Sequence, residues 1–181
     1  MATLEFDLDP VDAITVGVEG EPGARTFFLE ASQGARSCTL LLEKIQLQEL
    51  GAQLLELLEA DPGARPLAPA PRLGADAAPG WRVGEIKLSL DEPQDRCVLV
   101  LEERQVVLLE EGEEEEAAEA RAADDPNLRQ ARMVATLRQV RQLAARALEV
   151  VQGGRPICPL CHLPMDPSGH VCPARNGHHR T

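Results

Sequence analysis

At 181 residues the chain has room for one domain, or one domain with a small appendage, and its 30 acidic against 18 basic side chains leave a formal net charge of −12. A field of that sign repels phosphate, and the only aromatic residues are Phe6, Phe27, Phe28 and Trp81, so nucleic acid and anionic lipid are disfavoured as partners. No run approaches the ~20 apolar residues that span a bilayer, and the start lacks a cationic segment with a long apolar run, so the expectation is a cytoplasmic protein away from membranes.

The first sixty residues read as sheet followed by helix. Leu4, Phe6 and Leu8 alternate with Glu5, Asp7 and Asp9, the period of a half-buried strand, and Pro10 ends it. Val16 and Val18 continue the pattern up to the turn Gly20-Glu21-Pro22-Gly23. Thr26 to Ala31 and Arg36 to Leu42 form an antiparallel pair around Gln33-Gly34. From Glu43 the period lengthens. Leu47, Leu50, Leu54, Leu57 and Leu58 make one helical stripe that stops before Asp61-Pro62-Gly63.

Residues 61–80 are rich in Pro, Ala and Gly and read as a linker. The second half is then expected to repeat the first. Val83-Gly84-Glu85-Ile86 is similar to Val16-Gly17-Val18-Glu19, and Cys97 to Glu102 to the segment from Phe27. A strand over about Leu128 to Ala135 leads into a helix from Leu137 to Gln152, which matches the earlier helix at an offset of 93 residues. Thr136 and Gln139 stand in a capping-box arrangement at its start. The fold expected is α+β, two β-β-β-α halves forming an antiparallel sheet packed with helices. An acidic loop over about 110–127 interrupts the second half. Between Glu110 and Asp125 it holds nine acids against Arg121, and it reads as a solvated segment.

Chemistry concentrates after residue 152. Cys38 and Cys97 stand alone inside strands and read as small core hydrophobes. Cys158, Cys161 and Cys172 cluster with His170. The pair Cys158-Pro159-Leu160-Cys161 can hold one ion from a tight turn. The turn Asp166-Pro167-Ser168-Gly169 brings back His170 and Cys172, which share a face as residues i and i+2 of extended chain. The predicted ligands are Cys158, Cys161, His170 and Cys172, a Cys3His zinc site in a tail of residues 153–181 attached to a body of residues 1–152. His178 or His179 is an alternative fourth ligand, His162 adjoins Cys161 and points away, and a Cys158–Cys161 dithiol redox centre is a rival reading. A zinc deaminase is excluded, because it needs a His-x-Glu motif upstream and no histidine precedes His162. Four protein ligands close the coordination sphere, so the zinc is expected to be structural. Arg155, Arg175, His178, His179 and Arg180 leave the tail mildly basic.

The segments Gly20 to Leu29 and Leu41 to Lys44, with Gly154-Arg155-Pro156, Cys158 to Cys161, Gly169 to Pro173 and Asn176-Gly177, together resemble an uncharacterised bacterial family of unknown function, sometimes labelled simply a repeat protein. The likeness covers nearly the whole chain. It implies a soluble cytoplasmic protein with no assigned activity and a zinc-type tail. This chain departs from the family pattern at His162, where Gly is usual, at Leu137, where Pro is usual, and in a longer acidic segment from Glu110.

No nucleophile–base set, phosphate-cradling glycine loop or second metal constellation stands out, so no catalytic or cofactor-binding residue is assigned. The reading is a non-enzymatic binding or scaffolding protein whose partner is another protein, with any small-molecule ligand unknown. The alternative is an enzyme with its site in a groove of the α+β body lined by Arg25, Arg36 and Glu43, with carboxylates such as Glu30, Asp7 and Asp9 nearby.

Overall fold

A computed structural model describes residues 3–58, 80–105, 127–152, 158–161, 165 and 172. The order is β1 (Thr3–Leu8), β2 (Ala13–Glu19), β3 (Thr26–Gln33), β4 (Arg36–Leu42), α1 (Lys44–Leu57), β5 (Val83–Asp91), β6 (Arg96–Glu103), β7 (Arg129–Thr136) and α2 (Leu137–Gln152). The class is α+β, and among the described residues both β2-β3-β4-α1 and β5-β6-β7-α2 run strand, strand, strand, helix.

The strands divide between two sheets rather than one. β2-β3-β4 is an antiparallel meander, and the second sheet has the order β1-β7-β6-β5. β1 leaves its neighbours in sequence and lies parallel to β7, with Thr3 opposite Arg129 and Leu8 opposite Met133. The alternation of β1 suits any half-buried edge; its charges select this one. Arg132 of β7 donates from Nη1 to Asp7 Oδ1 at 2.8 Å and from Nη2 to Asp9 Oδ2 at 3.0 Å. A matching crossover joins the other sheet. Residues 80–82, which lead into β5, run parallel to β4: Gly80 N–H donates to Thr39 O at 2.7 Å, and Leu41 N–H to Trp81 O at 3.0 Å.

The inner sheet faces and both helices share one core. Leu29, Leu40, Leu99, Leu101 and Met133 are fully buried there with Leu47 and Leu54 of α1 and Val140, Ala144 and Ala147 of α2. Cys38 and Cys97 lie in the same core, and burial pushes both thiols up, Cys38 to about 11. Trp81 is buried with them, and its Nε1–H donates to Glu5 Oε2 at 2.8 Å, so the ring is placed without stranding its one donor.

The helices meet at Gly51, where a Cβ would stand 3.0 Å from Leu148 Cδ2 and 3.2 Å from Ala147 Cβ. That glycine, rather than Leu57, belongs to the buried stripe of α1; Leu57 is its last residue and is 41% exposed. Both helices begin alike. Gln46 accepts from Glu43 N–H and donates to Val83 O and Gly84 O at the start of β5. Gln139 accepts from Thr136 N–H and donates to Val11 O and Asp12 O just before β2. Each cap is therefore also a clamp on the other half of the chain. Almost all of the expected linker and the acidic run 110–125 lie outside the described residues. Among the described residues no helix is long and apolar enough to cross a membrane.

Candidate metal centre

Residues 159–161 form a turn, and Pro159 fixes one of its dihedrals without presenting an N–H. The backbone N–H groups of Cys161 and then Leu160 point back at Cys158 Sγ. These bonds pull its thiol down to about 6, towards the thiolate, the form that binds metal. Cys172 returns from eleven residues further on.

The Sγ atoms of Cys158 and Cys172 lie 3.8 Å apart, and all three Sγ atoms lie within 4.8 Å of one another. A tetrahedron with ~2.3 Å zinc–sulfur bonds has edges of about 3.8 Å. A disulfide needs ~2.05 Å, and all three thiols are free. Cys158 and Cys172 are buried, Cys161 is partly so, and Leu160 at the turn is exposed. Three soft donors around one point, two of them shielded from water, can hold a metal ion. The expected fourth ligand, His170, lies outside the described residues, as do His162, His178 and His179.

The residues of the alternative enzymatic groove do not form one cluster: Arg36 lies with Asp7 and Asp9 at one end of the three-stranded sheet, and Arg25 and Glu43 lie at the other. Arg36 and Glu43 flank opposite ends of β4, about 20 Å of extended chain apart. Arg36 Nη1 donates to Asp7 O, and Glu43 Oε1 accepts from Arg82 at 2.7 Å and from Arg104 at 3.4 Å. Asp7 and Asp9 are held by Arg132. Glu30 is buried on the outer face of the three-stranded sheet between Thr15 and Thr39. Arg25, next to the Glu43 end of the sheet, lines a cleft with Lys44. The partners Arg82, Arg104 and Arg132 were not singled out from the sequence, because each meets its carboxylate only through strand pairing between distant segments.

A family model described as "Protein of unknown function (DUF3090)" matches residues 6–172, a span that takes in both sheets, both helices and the three clustered cysteines. No curated protein and no solved structure matches the chain.

Proposed function

Because the chain belongs to the DUF3090 family, whose function is unknown, its own chemistry has to carry the reading, and we propose a non-enzymatic binding or scaffolding protein with a structural zinc ion in its C-terminal segment. The observation that carries this is the 3.8 Å separation of the Cys158 and Cys172 sulfurs, which suits a thiolate tetrahedron and not a disulfide. Cys158, Cys161 and Cys172 would hold the ion, with His170 as the fourth ligand because it stands two residues before Cys172 after a strong turn. When bound, the zinc would supply about 10–16 kcal/mol of apparent binding energy to a segment too poor in large apolar residues to make a core. With four protein ligands no coordination position remains for a reacting water. The net charge of −12 favours another protein over nucleic acid as the partner.

The test is metal content per chain together with X-ray absorption at the zinc edge. One zinc with three sulfurs and one nitrogen is expected, and it should be lost in both Cys161→Ser and His170→Ala. Retention in His170→Ala with loss in His178→Ala or His179→Ala would move the fourth ligand. A metal-free protein with a Cys158–Cys161 disulfide would overturn the zinc site. Turnover of a small metabolite that survives Cys161→Ser would overturn the non-enzymatic reading.

A further inference from the structure

We propose that the cleft between the β2–β3 turn and the start of α1 binds the phosphate group of a small phosphate monoester, with Arg25 and Lys44 as its ligands. The cleft is a cavity of about 280 Å³ lined, among the described residues, by Gly23, Arg25, Phe27 and Lys44. That is just below the usual range for small-molecule sites, room for a phosphate and a few carbons. Its two cations are unspent. Arg25 Nε is buried with no hydrogen-bond partner, and neither Arg25 nor Lys44 has an ion pair among the described residues. By contrast Arg82, Lys87, Arg96, Arg129 and Arg132 each hold a carboxylate.

Arg138 and Arg141 of α2 also lack a carboxylate but are exposed, as is Lys44; what sets this cleft apart is that the Nε–H of Arg25 is buried beside a second cation with nothing to accept it. The nearest acid in sequence, Glu43, is engaged by Arg82 and Arg104. A buried donor without an acceptor has lost its water and gained nothing in return, a deficit an incoming anion removes. The turn holds Arg25 in place before any ligand arrives. Gly20 and Gly23 have φ of 91° and 106°, a Cβ on Gly20 would stand 2.5 Å from Ala24 O, and Ala24 N–H donates to Glu21 O at 2.9 Å. Lys44 opens α1, whose dipole adds to the same sign of field. A phosphate dianion matches two cations, an Arg offering forked N–H groups and a Lys offering a point charge, better than a single carboxylate does. Phe27 supplies an apolar wall for the ester carbons.

This inference is independent of the zinc reading. Its test follows the Arg25 Nε–H resonance of the full chain during titration with inorganic phosphate, glycerol phosphate and acetate at constant ionic strength. Both phosphates should shift it saturably, and Arg25→Gln or Lys44→Gln should weaken binding about tenfold, read for Arg25→Gln from the backbone amides of the turn. Either variant failing to fold leaves the other as the test. Absence of a saturable shift, equal affinity for acetate, or unchanged phosphate affinity in a folded variant would overturn it.

Discussion

Phe28 lies across the glycine opposite it: a Cβ on Gly17 would stand 2.5 Å from Phe28 Cε2 and Cζ. Gly17→Ala should therefore destabilise by about 1–3 kcal/mol in urea titration, because the ring must leave its place. Phe28→Leu in the same chain should return part of that loss. Cys38 makes a second residue-scale prediction. Its thiol is pushed from 9.0 to about 11 by burial, so between those pH values the unfolded chain has released a proton that the folded chain retains. Stability should fall as pH rises through that window, by up to ~1.4 kcal/mol per pH unit, and be indifferent to this group below it. The chain has no Tyr, and its other thiols and its lysines are common to the parent and Cys38→Ala, so the difference between the two reports this group. Urea unfolding across the alkaline range should show a shallower decline in Cys38→Ala than in the parent. The burial of both thiols was legible from their isolation inside apolar strands. The Gly17–Phe28 contact was not, because it depends on cross-strand register.

Helix entry is decided by two glutamines. Gln46 and Gln139 each receive the N–H of their own cap and each hold two carbonyls of the opposite half. Replacement of either by Ala should cost about 1–2 kcal/mol, and the double substitution should be additive within about 0.5 kcal/mol, since they share no partner. Chemical denaturation of the three variants checks this; a strongly non-additive result would show that the two clamps act as one. The capping at Thr136 and Gln139 was readable from spacing alone. The clamping role was not, because a side chain's second partner lies on a strand that sequence does not place. The helix crossing is similar: leucine spacing marks the buried stripe, while Gly51 enters it only because Leu148 comes within 3.0 Å of a would-be Cβ.

For the molecule as a whole, the proposed zinc makes a division of labour. Its removal, by chelation or by Cys161→Ser, should speed hydrogen exchange in residues 153–181 while leaving protection of the sheets and the melting of the body nearly unchanged. A parallel collapse of both would show that the ion also supports the core. What the sequence determined by itself was local. Periods of two and 3.6 marked the strands and helices, turn residues marked their ends, and the Cys-Pro-Leu-Cys pair with a third cysteine marked a metal-type cluster, because each of these depends on neighbours within a few residues. Tertiary structure decided the rest. It split the strands between two sheets and carried β1 across to β7, where Asp7 and Asp9 meet Arg132. It set Arg36 against Asp7 and left Arg25 beside Lys44. The reason is that an extended strand offers two equivalent edges, and which one is taken depends on side chains that can be more than a hundred residues away.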